Sequence, residues 1–361
     1  MQYNNIGAKR VSLLGFGGIP IMSGRTNEFL VELKNVGYIE SLKVIEHAID
    51  LGINFFDTAI DYGDSERKIG EVISGIRNDI FVASKSKALY RDEMLRSVDK
   101  SLKALKTDYI DLYQFHYVKD KYSYDTIMGT DGSYNALLEL KKEKTIRHIG
   151  LASHNPFVIT QGIGDGIIDT IQIPYNIIEN DSREIINAAV DVNIPIIVMK
   201  PYAGGSLTKI NNKIIDIIED NRRLKYFALK FVIEQPVTVV IPGMSSIEEV
   251  NENANLVDDV ARLSREEKST IDIIKSRIGS VFCRRCQYCE PCPKGIPIAQ
   301  IFRIRKYYED YGLESWAKEQ YMNLQTKADK CIQCGNCESR CPYKLEIMTE
   351  IRSVHRLLGG S

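Results

Sequence analysis

The 361-residue sequence predicts an α/β protein, a (β/α)8 TIM barrel followed by a small all-α domain. Two observations support this prediction. Eight short apolar runs, most of them followed by a helical pattern, fill residues 1–275, and all eight cysteines lie in residues 276–361. Strands that alternate with helices indicate parallel βαβ units. We therefore predict a barrel domain over residues 1–275 and a second domain over residues 276–361.

The eight apolar runs are rich in Val, Ile, Phe and Tyr and have the length of strands. They cover residues 11–18, 53–58, 80–85, 109–116, 146–152, 170–175, 194–200 and 238–242. Helical spacing of apolar residues is clearest over 41–51 and 92–105. A doubly wound sheet is the main alternative, but its first strand normally leads into G-x-G-x-x-G and a helix. The glycine-rich stretch 14–18 lacks that motif, and no helix follows at once, which favours the barrel.

Polar residues follow three successive predicted strands. Asp57 and Tyr62 follow the second strand, Lys85 ends the third and His116 ends the fourth. Strand ends of a barrel meet at one mouth, so these side chains are expected to converge. Reduction of a carbonyl needs an acid for its oxygen, and a tyrosine suits this role if a nearby cation lowers its pKa. Each residue alone is more easily explained as a cap, a packing residue or a solvated charge; the four together favour chemistry.

These segments resemble the aldo-keto reductases over nearly the whole chain, in a branch that carries a C-terminal two-cluster ferredoxin-like tail. The resemblance implies reversible reduction of an aldehyde or ketone with NAD(H) or NADP(H). It assigns the catalytic tetrad to Asp57, Tyr62, Lys85 and His116, with Tyr62 as the general acid/base. The expected partner is a small-molecule carbonyl or alcohol substrate.

The resemblance also implies cofactor-binding residues. The carboxamide is expected at Gln172 and at a Ser-Asn pair into which His154 is inserted, and the phosphates and adenine near the ends of the last two strands. The implied residues are Ser153, Asn155, Gln172, Lys200, Gly204, Gly205, Ser245, Ser246, Glu252 and Asn253. Two cations usual in the family are replaced here by Gly243 and Glu249. Since a 2′-phosphate needs cationic donors, we expect NADH to be favoured over NADPH.

The cysteines form two tight runs. They are Cys283, Cys286, Cys289 and Cys292, and then Cys331, Cys334, Cys337 and Cys341. The second run is C-x2-C-x2-C-x3-C-P, the spacing of [4Fe–4S] ligands, and the first differs by one residue before its fourth cysteine. Zinc and disulfides are the alternatives, but zinc does not call for four cysteines in one run. Disulfides are not favoured, because the sequence shows no secretory segment at its start and cytosolic disulfides are rare. We predict two [4Fe–4S] clusters.

In two-cluster ferredoxins the fourth cysteine of each run serves the other cluster. By that rule one cluster takes Cys283, Cys286, Cys289 and Cys341, and the other takes Cys331, Cys334, Cys337 and Cys292. A helix predicted over residues 264–277 leads to the first cysteine run, and helices are predicted between the two runs over residues 298–313 and 314–324.

The composition limits the partners. A net charge of −1 and a pI near 6.6 argue against nucleic acid or an anionic membrane as a partner. No apolar stretch approaches the roughly 20 residues needed to span a bilayer. With 44% hydrophobic and 26% charged residues, the chain is typical of a globular protein, expected in the cytoplasm.

The two predicted chemistries do not join directly. Hydride transfer moves two electrons together, a [4Fe–4S] cluster passes one, and a flavin normally connects them. The sequence shows no flavin motif, although a barrel mouth could hold a flavin. Three interpretations stay open: carbonyl reduction with structural or redox-sensing clusters, electron exchange with a ferredoxin-like carrier through a flavin or nicotinamide in the barrel, and a non-enzymatic scaffold. The tetrad argues against the third. The substrate is not readable, because specificity resides in loops such as 119–134.

Overall fold

The computed structural model describes residues 1–23, 36–259, 261–279, 282–284, 286–311 and 313–359. Its strands are β1 Tyr3–Ile6, β2 Lys9–Ser12, β3 Phe16–Gly17, β4 Phe55–Asp57, β5 Phe81–Ser86, β6 Ile110–His116, β7 Ile146–Ala152, β8 Thr170–Pro174, β9 Ile196–Met199 and β10 Val239–Ile241. Strands β3 to β10 form one parallel sheet in chain order. The sheet closes because Gly15 N donates to Val240 O at 2.9 Å and Gly17 N to Pro242 O at 3.1 Å. The predicted (β/α)8 barrel is confirmed.

The first predicted strand, residues 11–18, is wrong in its extent. Lys9–Ser12 pair with β1 in an antiparallel hairpin, Leu14 forms a single parallel bridge with Val240, and Phe16–Gly17 pair with β4 in the barrel sheet. Ser12 ends the hairpin strand because its hydroxyl donates to Leu14 O at 2.7 Å while its N–H donates to Asn54 Oδ1. The hairpin packs Ile6 and Val11 against residues that begin the barrel strands, so it closes the amino end of the barrel.

Helices follow most of the barrel strands. They are α1 Tyr38–Asp50, α2 Ser65–Ile73, α3 Arg91–Leu105, α4 Lys121–Met128, α5 Ser133–Lys142, α6 Pro156–Gly164, α7 Arg183–Asp191, α8 Asn221–Ile233 and α9 Ile247–Asp258. Strand β4 is buried at every position, as expected for a parallel sheet covered on both faces. Helix α3 buries Met94, Val98 and Leu105 on one face, which confirms the helix predicted over 92–105.

The described residues from 265 onward form helices and turns only. The helices are α10 Arg265–Ile278, α11 Ile298–Tyr311, α12 Glu314–Met322, α13 Asn336–Ser339 and α14 Ile347–Leu358. Ile301, Ile304, Tyr321 and Val354 are buried in one apolar cluster that also contains Cys289 and Cys337. The predicted helical C-terminal region is confirmed.

By its internal contacts the chain divides into two compact units. The first holds the barrel strands and residues 36–206 and 225–264, and the second holds residues 207–224 and the chain from 265 onward. The domain boundary expected after residue 275 stays a prediction. Among the described residues, no helix has the length and apolar character needed to cross a bilayer.

Candidate active site and cysteine groups

A buried ion pair lies at the carboxyl ends of β4 and β5. Lys85 Nζ lies 2.8 Å and 2.6 Å from the two carboxylate oxygens of Asp57, and it also donates to the carbonyl of Thr58 at 2.7 Å. Burial raises the pKa of Asp57 and lowers the pKa of Lys85, and each charge opposes the shift of the other. The ammonium is therefore held in place by the strands themselves.

Tyr62 lies in the loop that joins β4 to α2, beside this pair. Lys85 Nζ is 5.0 Å from the centroid of the Tyr62 ring, and the ring of His116 meets it edge-on at 5.8 Å and 84°. Burial and the negative charges of Asp57 and Asp61 raise the pKa of Tyr62, whereas the sequence argument expected a cation to lower it. The reason is that Lys85 is bound to Asp57 and faces the ring, so its charge is largely compensated.

His116 ends β6 with its ring nearly buried. Its Nδ1 is 3.7 Å from Asp61 Oδ2, beyond hydrogen-bond distance, and among the described residues this buried nitrogen has no hydrogen-bond partner. Burial lowers the pKa of His116 to about 4, so the imidazole is neutral at pH 7. The structure thus brings all four predicted tetrad residues together, with one polar atom of His116 left for a ligand.

Two glutamines extend the site into the barrel. Gln172 on β8 hydrogen-bonds Asp57, and this bond opposes part of the rise in the Asp57 pKa that burial causes. Gln172 also accepts a 2.7 Å hydrogen bond from Gln114 Nε2. Both glutamines are buried. Gln114 was not predicted from the sequence, although strand alternation places it on the same inward face as His116, two residues later.

The predicted Ser-Asn pair lies after β7, and both side chains form hydrogen bonds with backbone groups. Ser153 Oγ donates to Val118 O at 2.5 Å, while Asn155 Oδ1 caps α6 and its Nδ2 donates to Lys119 O at 2.8 Å. His154, between them, is largely buried, with its side chain 9% exposed and Nδ1 3.8 Å from Glu179 Oε1.

Lys200 follows β9, and its positive charge acts on His154. Burial and the charge of Lys200 lower the pKa of His154 to about 4. Lys200 has φ 56°, and its carbonyl accepts from Asn176 Nδ2 at 3.0 Å. Gly204 and Gly205 follow with φ 63° and 94°, backbone conformations in which glycine is strongly preferred.

The predicted adenosine segment follows β10 and begins α9. Ser246 caps this helix, and Glu249 Oε2 accepts from both the N–H and the hydroxyl of Ser245, at 2.7 Å and 2.9 Å. Glu252 pairs with Lys225 at 2.6 Å. Asn253 Oδ1 accepts a 2.5 Å hydrogen bond from the hydroxyl of Tyr202.

The cysteines approach one another in the two crossed groups that the ferredoxin rule predicted. The cavity beside α13 is lined by Cys292, Cys331, Cys334 and Cys337. Burial raises the pKa of the Cys289 thiol, and the charges of Cys283, Glu290, Cys286 and Cys341 raise it further. Among the described residues, no three His, Cys, Asp or Glu side chains are placed to hold a single metal ion. Four thiols around a cavity are the donor set that a [4Fe–4S] cluster takes.

Arg340 connects the two cysteine runs and was not foreseen from the sequence. Its guanidinium donates to the carbonyls of Cys289 at 2.6 Å, Pro291 at 3.0 Å and Glu290 at 3.3 Å. Its Nε donates to Asn336 O at 2.8 Å, and the side chain lines the cavity beside α13. An arginine next to a cysteine ligand gives no pattern that distinguishes this role from a surface charge.

The chain belongs to the aldo/keto reductase family, which residues 26–276 match. Residues 282–346 match the 4Fe-4S dicluster domain. The protein is therefore an oxidoreductase of this family that carries an iron–sulfur domain, and the family expected from the strand-end residues is confirmed.

Two relatives and one solved structure match over most of their own length. An uncharacterized oxidoreductase of Bacillus subtilis, YqkF, is 30% identical over 269 residues, 63% of this chain and 85% of that protein. L-galactose dehydrogenase of Arabidopsis thaliana is 25% identical over 303 residues, 74% of this chain and 91% of that protein. Among solved structures, the holo form of aldo-keto reductase AKR11C1 from Bacillus halodurans is 26% identical with a TM-score of 0.62, and the match covers 75% of this chain and 95% of that one.

Proposed function

We propose that the barrel reversibly reduces a small aldehyde or ketone with a nicotinamide cofactor, NADH favoured, and that the C-terminal domain carries two [4Fe–4S] clusters. The proposal depends chiefly on one observation. Tyr62 and His116 meet at one mouth beside the buried Asp57–Lys85 pair.

Tyr62 and His116 are the groups that we propose contact the substrate oxygen. The raised pKa keeps the Tyr62 hydroxyl protonated and makes it a weaker acid than a free tyrosine. We propose that it gives its proton to the oxygen only as negative charge develops there. Neutral His116 hydrogen-bonds the same oxygen and orients it. Lys85 is held by Asp57 at the face of the Tyr62 ring, and we propose that the part of its positive charge that Asp57 does not compensate stabilises the phenolate left behind. When bound, a reduced nicotinamide supplies the hydride.

The residues near β7 to α9 fit such a cofactor by their donor chemistry. We propose Gln172, Ser153 and Asn155 for the carboxamide, and Lys200 with the backbone of Gly204 and Gly205 for the pyrophosphate. We propose Ser245 and Ser246, at the beginning of a helix of 12 residues, for a phosphate. The N–H and hydroxyl of Ser245, which donate to Glu249 here, would have to exchange that carboxylate for the phosphate. Glu252 and Asn253 are proposed to contact the adenine.

The preference for NADH is supported by what replaces the two usual cations. Glu249 places a carboxylate on Ser245 at the beginning of α9, where it would repel a 2′-phosphate. A Cβ at Gly243 would lie 2.6 Å from Pro20 Cγ, so a lysine does not fit there without movement. We expect a higher kcat/KM with NADH than with NADPH, and Glu249→Gln should narrow the difference between these two values. A preference for NADPH in the unmodified enzyme would contradict this part of the proposal.

The central test is Tyr62→Phe, which removes one oxygen. We expect kcat for carbonyl reduction with NADH to fall by about 10²–10⁴-fold, the range typical of a lost general acid. The EPR signals of the clusters should not change. Tyr109→Phe, at a tyrosine that directly precedes β6 at the end of the strand opposite to His116, is the matched control. If Tyr62→Phe keeps its activity, the tetrad assignment is wrong.

A second function is favoured by the accessibility of one cysteine group. Cys334 is exposed, so a cluster there could exchange electrons with a ferredoxin-like carrier, joined to the barrel by a flavin or nicotinamide. Anaerobic purification followed by iron, sulfide and flavin analysis tests the cofactor content. Cys334→Ser should destroy one cluster. Unchanged carbonyl turnover in that variant would place the clusters outside the catalytic cycle.

We also propose a reducing cytoplasm as the compartment. Clusters of this kind need thiolates that are not oxidised to disulfides, and a reducing compartment keeps cysteines in that state.

A further inference from the structure

The two cysteine groups differ in their contact with solvent. In the group beside α13, Cys334 is exposed, and it lies in a short loop whose Ile332 side chain is 57% exposed. In the other group Cys289 is buried, and its remaining members are only partly accessible. Since electron transfer between proteins requires close approach, the group that contains Cys334 is the one a second protein can reach.

The surface around Cys334 has a distinct chemical character. The residues that line its cavity include two cations, Lys294 and Arg340, with apolar Ile332 and Met348, and no carboxylate. Arg340 is fixed by carbonyl oxygens, so its charge stays beside the thiols. Lys294 is exposed. An apolar centre with a cationic rim is the composition that suits a transient, electrostatically steered contact.

We propose that this surface, which we call the Cys334 face (Cys334, Ile332 and Lys294), docks a small acidic protein that carries one electron at a time. Cys292, Cys331, Cys334 and Cys337 would hold the cluster, which would accept one electron from the reduced carrier. No bond forms or breaks, and no proton moves. The inference rests on the proposed clusters but not on the proposed carbonyl chemistry.

The test follows cluster reduction by stopped-flow absorbance, with anaerobic protein and neither nicotinamide nor carbonyl present. The probe is a chemically reduced, acidic [4Fe–4S] ferredoxin from another organism, and dithionite is the small reductant for comparison. We expect Lys294→Glu and Ile332→Glu each to lower the bimolecular rate with the ferredoxin at least tenfold at low salt. Dithionite rates should stay within twofold.

Two controls keep the charge change but move it elsewhere. Ile215→Glu and Lys318→Glu alter exposed residues that do not line the cavity, and they should leave the ferredoxin rate within twofold. For the unmodified protein, the rate should fall steeply as salt rises from 0.05 to 0.5 M, roughly as the Debye length shrinks. This measurement needs no variant and holds even if a substitution impairs folding.

The possible outcomes separate the two proposals. The proposal that the Cys334 face docks the carrier would be overturned by any of three results. These are equal losses of the ferredoxin rate at the control positions, equal losses of the dithionite rate, or a ferredoxin rate that does not depend on salt. Protein that assembles no cluster would overturn both this inference and the cluster part of the proposed function. Normal ferredoxin reduction in a protein that reduces no carbonyl would overturn only the barrel chemistry.

Discussion

The barrel mouth and the cysteine groups hold buried ionisable groups in opposite ways. In the barrel, Lys85 meets Asp57 at 2.6 Å, so opposite charges compensate each other within the protein. In the C-terminal unit, Cys289 lies among three other cysteines, and their negative charges together with burial raise the pKa of its thiol. The barrel site is therefore assembled without a ligand, whereas the thiolates need iron to compensate their charge. We expect the two regions to respond differently to substitution.

The largest effect should follow the loss of a cluster ligand. Cys337 is 8% exposed and belongs to the apolar cluster of the C-terminal unit. Cys337→Ser should abolish one cluster completely and loosen that unit, because metal binding and folding are coupled there. Iron and sulfide content, EPR and limited proteolysis measure this, with a protected barrel fragment as the expected product.

Ser339→Ala, an exposed position on the same short helix, is the control and should keep both clusters. If the barrel loses its structure together with the cluster in Cys337→Ser, the contrast between the two regions does not hold.

The next effect concerns the barrel pair. Lys85→Met leaves the Asp57 carboxylate buried without its cation, which typically costs about 3–5 kcal/mol of unfolding free energy. Urea unfolding of the barrel measures it. Adding Asp57→Asn removes the uncompensated charge and should restore most of the loss. Equal instability of the single and double variants would show that the pair does not act by charge compensation.

Acid should weaken the barrel through its buried histidines. Burial lowers the pKa of His116 and of His154 to about 4, below the value of about 6.5 in an unfolded chain. The unfolded state therefore takes up protons first as the pH falls from 6.5 to 4, and stability present above pH 6.5 is lost over that window. At pH 5 each histidine should cost about 2 kcal/mol.

His154→Gln tests this through the difference in unfolding free energy between pH 7 and pH 5. We expect this difference to be smaller than in the unmodified protein. The nearby charges of Glu179 and Lys200 are unchanged in the variant, so an identical pH dependence would count against a neutral, buried His154.

The sequence predicted the barrel and both cysteine groups because each follows from a local pattern. Strand ends point to one mouth, which placed Tyr62, Lys85 and His116 together, and cysteine spacing reports ligands directly. The extent of the first strand was missed, since Ser12 ends it through hydrogen bonds to residues outside the run. Gln114 and Arg340 were missed because their partners are distant in sequence. A polar side chain gives no sign of a contact about 50 residues away.

Arg340 places a fixed cation beside the cysteines of the C-terminal unit, as Lys85 does beside Asp57 in the barrel. Arg340→Gln removes that charge and most of its hydrogen bonds to the first cysteine run. We expect a lower reduction potential for the cluster beside α13, by on the order of 50 mV, close to a tenfold change in the one-electron equilibrium. Arg340→Lys keeps the charge but not the planar set of donors. Compared with Arg340→Gln, the Lys variant should recover more of the reduction potential than of the iron content. EPR-monitored redox titration measures the potential, and iron analysis measures the content. If Lys and Gln shift the potential equally, the arginine acts through geometry, and its charge does not offset the thiolates.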